Sequence, residues 1–150
     1  MNTPLGNLEA TAELSVGLMF SIMRNIHLAN DSTHQGKWEK PKFLGTELKG
    51  KVLGIVGYGN IGQRVAEICS TIGMKIITNS KSASDDDLSK FDVKKVSTED
   101  LIKEADIITL HTKLNDETKY MINKETISTM KPTSVIINCA RGGLINESDL

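Results

Sequence analysis

Gly57-x-Gly59-x-x-Gly62 stands between a strand-like apolar run, Lys51 to Val56, and a stretch of helical composition, Gln63 to Ile68. In that setting three glycines can seat a dinucleotide. The first permits a tight turn, the second lets backbone approach a pyrophosphate, and the third lets the helix pack closely on the strand. The N-terminus of that helix adds free N–H groups and a partial positive charge. An ordinary βα turn would use glycine too, but the order strand, glycines, helix favours the nucleotide.

Arg141 is the second group with chemical potential. It lies in Cys139-Ala140-Arg141-Gly142-Gly143, directly after the apolar run Val135-Ile136-Ile137-Asn138. A guanidinium at a strand end can hold a carboxylate through two parallel charge-assisted hydrogen bonds and polarise a neighbouring carbonyl. An arginine paired with a structural carboxylate is the competing reading. His111 ends another apolar run, Asp106 to Leu110. It invites a general acid/base role, but no carboxylate in the local sequence is placed to orient it. A packing or cofactor-facing role is expected instead, and His27 and His34 are expected to be structural or exposed.

Cofactor choice turns on Ser80. An NAD site places an acidic residue about 20 residues beyond the glycines to accept the ribose hydroxyls. Here Ser80-Lys81-Ser82 falls there. Hydroxyls and an ammonium suit a 2′-phosphate, which argues for NADP. NAD remains open, with Ser80 on the diol or Asp85–Asp87 folding back to help.

The elements that must position these groups alternate. The spacing of Leu8, Ala12, Met19, Ile22, Met23 and Ile26 predicts one long helix over residues 5–30, covered on more than one side. Residues 31–50 read as irregular, with Trp38 and Phe43 expected to fold onto the domain. Strands are expected at 51–56, 74–79, 93–96, 106–110 and 133–138. Helices are expected at 60–72, closed by Gly73, at 101–104 behind the caps of Ser97 to Asp100, and at 123–130. Asn146 reads as the cap of another helix. Short apolar strands between helices indicate an α/β fold: a doubly wound, Rossmann-type parallel sheet with a long N-terminal helix. Five strands, where such domains have about six, and an end at Leu150 suggest one nucleotide-binding domain cut from a longer enzyme.

Composition narrows the class further. The 150 residues carry a net charge of −1, which gives no electrostatic reason to expect nucleic acid or an anionic membrane. The two cysteines, Cys69 and Cys139, lie far apart and suggest a reducing, cytoplasmic setting without a metal site. The apolar run Leu14 to Met23 is too short to span a bilayer.

Taken in order, Glu47-Leu48-Lys49-Gly50-Lys51, Gly54 to Gly62 and Asn138-Cys139-Ala140-Arg141-Gly142-Gly143 resemble the D-isomer-specific 2-hydroxy-acid dehydrogenases. Gly36-Lys37-Trp38-Glu39, Phe43 to Leu48 and the double glycine after Arg141 look most like the phosphoglycerate-oxidising branch, which serves serine biosynthesis. The resemblance implies hydride transfer between a nicotinamide cofactor and C2 of a small 2-hydroxy or 2-keto acid. It implies that Asn60 and Ile61, with Gly57, Gly59 and Gly62, meet the pyrophosphate, and that Ser80 occupies the adenosine-ribose position. Thr112, Cys139, Ala140 and Arg141 would line the nicotinamide side, Arg141 holding the substrate carboxylate. The family's acid/base histidine and its glutamate lie downstream of the Arg141 motif, so the chain alone is expected to be inactive. The first helix helps form the dimer in relatives, so a homodimer or homotetramer is implied for the full-length enzyme. Two departures stand out: Ser80 replaces the usual acidic residue, and Lys113 stands where many relatives carry proline. A reductase of glyoxylate or hydroxypyruvate, to which NADP would be suited, and a non-catalytic NAD(H)-sensing module are the alternative readings.

Overall fold

The computed structural model describes residues 6–150. In chain order the elements are α1 (Leu8–Met23), α2 (Ile26–His34), a 3-10 turn (Lys40–Phe43), β1 (Val52–Val56), α3 (Asn60–Thr71), β2 (Lys75–Thr78), α4 (Asp85–Ser89), β3 (Lys94–Lys95), α5 (Thr98–Glu104), β4 (Ile107–Leu110), α6 (Lys124–Thr129) and β5 (Val135–Asn138), followed by 3-10 turns at Gly142–Leu144 and Glu147–Asp149. The five strands form one parallel sheet in the order β3-β2-β1-β4-β5. β1 is central because its residues can be apolar on both faces. Leu53 and Ile55 point to one core with α1 and α3, among Ala12, Met19, Val65 and Cys69. Val56 points to the other, with Leu101 and Ile102 of α5. Each fully buried Leu or Ile in these layers contributes roughly 1.5–3 kcal/mol relative to an exposed one.

Local chemistry sets the helix starts. Ser84 Oγ accepts the Asp87 N–H and Ser97 Oγ accepts the Asp100 N–H. At α6 the Asn123 side chain accepts the Glu125 and Thr126 N–H groups, while the Thr126 hydroxyl accepts the Asn123 N–H. These bonds satisfy donors that a helix start leaves unpaired. Gly73, at φ +88°, follows α3 as expected.

Three expectations need correction. The first helix is two, because Asn25 adopts a left-handed conformation at φ 53° and turns the chain between α1 and α2. The second of these continues to His34, into the stretch expected to be irregular; residue 5 lies outside the described residues. Trp38 does not fold onto the domain: it is 83% exposed, while Phe43 is partly buried. Asn146 precedes only a 3-10 turn, and its side-chain amide donates to the Asp149 carboxylate instead of capping backbone. No helix among the described residues is long and apolar enough to cross a membrane.

Candidate functional site

The turn after β1, the segment after β2, the end of β4 and the loop after β5 all leave the same edge of the parallel sheet. The glycine turn is built for close approach. Gly57 sits at φ +90°, and a Cβ there would stand 2.6 Å from the His111 carbonyl oxygen and 3.0 Å from the Thr112 nitrogen. A Cβ at Gly62 would stand 2.3 Å from the Gly57 oxygen and 3.3 Å from Ile55, which fixes the first turn of α3 against β1. At Gly59, by contrast, an added Cβ meets nothing within 4 Å. The backbone is bare on that side, facing a cavity that an anionic ligand could enter.

Two cavities flank the turn. One, of about 520 Å³, is lined by Gly57, Tyr58 and Gly59, by Asn79 to Ser82 after β2, and by His111 to Lys113 after β4. The other, of about 510 Å³, is lined by Ile61, by Cys139, Ala140 and Arg141, and again by His111 to Lys113. The strip His111-Thr112-Lys113 therefore joins the glycine side to the arginine side. Ser80 lines the first cavity, Ile61, Cys139, Ala140 and Arg141 line the second, and Thr112 borders both. Asn60 opens α3 and lines neither cavity, and Gly62 is buried beneath the turn.

In the first cavity, the Ser80 and Ser82 hydroxyls lie 3.3 Å apart and Lys95 Nζ donates to the Lys81 carbonyl. No carboxylate from Asp85 to Asp87 lines this cavity. Those acids belong to the start of α4, where Asp87 pairs with Lys90; hydrogen bonds from Lys90 and Ser84 hold its pKa below the usual carboxylate value. Tyr58, second in the glycine turn, turns its ring into the core beside Ala83 and Leu88. Burial raises its phenol pKa, with the Asp87 charge adding to the shift.

Arg141 owes its place to Asn138. The Asn138 Oδ1 accepts the Ala140 N–H at 3.0 Å and its Nδ2 donates to the Arg141 carbonyl at 2.9 Å, which folds the strand end into a tight loop. Arg141 Nη1 donates to the Ala140 carbonyl at 2.8 Å. Among the described residues no carboxylate lies within ion-pair distance of it. A structural partner, the competing explanation for an arginine here, is therefore not found. His111 is half-buried, shares a 2.9 Å hydrogen bond between its Nε2 and Thr109 Oγ1, and is pushed down to a pKa of about 4 by desolvation. It is neutral at pH 7 and is suited to lining a site.

Sequence reasoning missed Asn7 and Thr11, which line the second cavity from the start of α1. Asn7 makes no side-chain cap to its own helix. No local signal marks either residue, since only the packing of α1 on α3 brings them to the sheet edge.

A parallel sheet covered on both faces, with a bare glycine turn opening onto its carboxyl edge, defines a Rossmann-type nucleotide-binding domain. The chain belongs to the D-isomer-specific 2-hydroxyacid dehydrogenase family, NAD-dependent oxidoreductases: the family described as "D-isomer specific 2-hydroxyacid dehydrogenase, NAD binding domain" matches residues 16–150. It is 44% identical to the hydroxypyruvate reductase of Thermotoga maritima over 150 residues, all of this chain and 48% of that protein. It is 42% identical to the D-3-phosphoglycerate dehydrogenase of Synechocystis sp. over 150 residues, all of this chain and 27% of that protein. Among solved structures, the apo form of D-lactate dehydrogenase from Escherichia coli superposes with a TM-score of 0.92, covering 98% of this chain and 46% of that one at 29% identity. The chain thus spans about half or less of the length of these relatives.

Proposed function

We propose that this domain holds the nicotinamide cofactor of a D-2-hydroxyacid dehydrogenase that oxidises D-3-phosphoglycerate. The observation that supports the proposal is the strip His111-Thr112-Lys113, which borders both the cavity at the bare glycine turn and the cavity at Arg141. The diphosphate rests against Gly57 and Gly59, with the Asn60 and Ile61 N–H groups at the start of α3 directed to it. Ser80 takes the adenosine ribose. Thr112, Cys139 and Ala140 line the nicotinamide, and Arg141 grips the substrate carboxylate and polarises the C2 carbonyl. The bound nicotinamide supplies or accepts the hydride. His111, neutral and half-buried, packs beside the cofactor and moves no proton. The substrate-binding part, and the acid/base histidine with it, is proposed to lie outside residues 1–150.

Ser80, Lys81 and Ser82 support a second substrate reading. A 2′-phosphate finds hydroxyls and an ammonium there, and no carboxylate from Asp85 to Asp87 opposes it. NADP is therefore accepted alongside NAD, which fits a reductase of hydroxypyruvate or glyoxylate. Assaying the intact enzyme with 3-phosphoglycerate, hydroxypyruvate and glyoxylate, each with both cofactors, separates the two. Nucleotide binding without turnover on any 2-hydroxy or 2-keto acid would favour the NAD(H)-sensing reading.

Assembly is proposed to run through α1 and α2. Leu14, Leu18, Ile22, Ile26 and Leu28 are exposed along them, an apolar surface that a homodimer or homotetramer of the full-length enzyme would cover.

A further inference from the structure

Among the described residues, Lys113 is the one lysine or arginine that lines both cavities. Its neighbours fix it there. On one side, the Thr112 nitrogen is the atom that a Cβ at Gly57 would approach to 3.0 Å. On the other, a Cβ at Gly143 would approach Leu114 Cδ2 to 3.0 Å, so residue 114 is packed against the loop carrying Arg141. The Lys113 carbonyl accepts the Thr118 hydroxyl at 2.7 Å, and Asn115 Oδ1 accepts the Glu117 and Thr118 N–H groups, which closes the following loop. The backbone at Lys113 is thus held midway between the glycine turn and the arginine turn. Among the described residues its ammonium has no carboxylate partner, and Glu117, which lines the first cavity, makes no ion pair with it.

We propose that the Lys113 ammonium binds the diphosphate of the cofactor, adding a side-chain cation to a seat otherwise made of backbone N–H groups. The inference rests on the dinucleotide reading above. A diphosphate links the adenosine half to the nicotinamide half, so it must pass from the first cavity to the second, where Lys113 borders both. A substrate acid would occupy only the second, where Arg141 already offers a guanidinium.

Calorimetric titration of NADH and of adenosine into the wild-type chain, Lys113→Met and Lys113→Arg tests this at low and at physiological salt. An exposed ammonium on a phosphate is worth about fivefold in affinity at low salt, and less as salt rises. Lys113→Met should therefore bind NADH about fivefold more weakly, with a shallower salt dependence. Adenosine affinity should not change, and Lys113→Arg should restore NADH binding. Unchanged NADH affinity in Lys113→Met, with its thermal melt intact, overturns the proposal. So does an equal loss for adenosine and NADH, which would mean loop damage, or a rise only in the KM for the acid in the intact enzyme, which would place the lysine on the substrate. If Lys113→Met does not fold, Lys113→Gln takes its place with the same outcomes. A wild-type chain that binds no NADH would defeat the dinucleotide reading itself, a different result from a wild type that binds and a variant that matches it.

Discussion

Gly57 lies in backbone contact with His111: a side-chain carbon at Gly57 would stand 2.6 Å from the His111 carbonyl oxygen. The turn after β1 and the end of β4 are therefore one rigid unit, and a substituent at Gly57 must push them apart. The residue also holds φ +90°, which costs a non-glycine residue of the order of 1–3 kcal/mol before any clash is counted. Gly57→Ala should lower the melting temperature and weaken NADH binding together. Thermal denaturation and nucleotide titration on the same preparation check it. A variant with wild-type stability and affinity would mean that the turn is not held as described.

Arg141 should separate binding from turnover. Arg141→Lys keeps the charge but loses the planar fork that matches a carboxylate. Cofactor affinity should stay near wild type, while kcat/KM of the intact enzyme for its acid falls by about two orders of magnitude. Kinetics that do not change would remove Arg141 from substrate binding.

His111 predicts a pH effect with a definite sign. Its folded pKa is held at about 4, below the ordinary 6.5, because burial penalises the charged ring. Between those values the unfolded chain binds more protons, so stability rises with pH across the window. The contribution is complete above 6.5 and is lost as pH falls toward 4, at a slope of at most about 1.4 kcal/mol per pH unit. His111→Gln should flatten the stability profile between pH 4 and 6.5, as chemical denaturation at stepped pH would record. A profile identical to wild type would show that the ring is not desolvated.

Asp106 ties the opposite edge of the sheet. Its Oδ2 accepts the Val52 N–H at 2.8 Å and its Oδ1 accepts Lys131 Nζ at 2.8 Å, joining the start of β1 to the loop before β5. Burial alone would raise its pKa, but Lys131 and the Val52 N–H outweigh that and hold it below 3.8. Stability from this group is present above 3.8 and lost as pH falls through the lower folded value. Asp106→Ala should cost about 1–3 kcal/mol, because the Val52 N–H loses its partner. No loss in urea denaturation would contradict the bond.

What the sequence disclosed, and what it hid, follows from the range of the forces involved. The glycine turn, the Ser97 cap and the strand runs are set by neighbours a few residues away, and each is legible locally. The break at Asn25 is not, because apolar spacing continues through Ile26 while a single residue turns to the left-handed region. Trp38 was misread because aromatic character says nothing about which surface is available to cover it. Asn7 and Thr11 reach the second cavity only through the packing of α1 on α3, so no spacing rule could have found them. The lack of an ion pair at Arg141 among the described residues is likewise a property of the folded chain.

One measurement bears most directly on whether the glycine side and the arginine side form a single nucleotide site. It is a titration of isotopically labelled chain with NADH, followed by backbone amide resonances. Gly59 to Ile61, His111 to Lys113 and Cys139 to Arg141 should shift along one saturable curve with a common dissociation constant. Shifts confined to one of those segments, different constants for the two sides, or none at saturating NADH would contradict it.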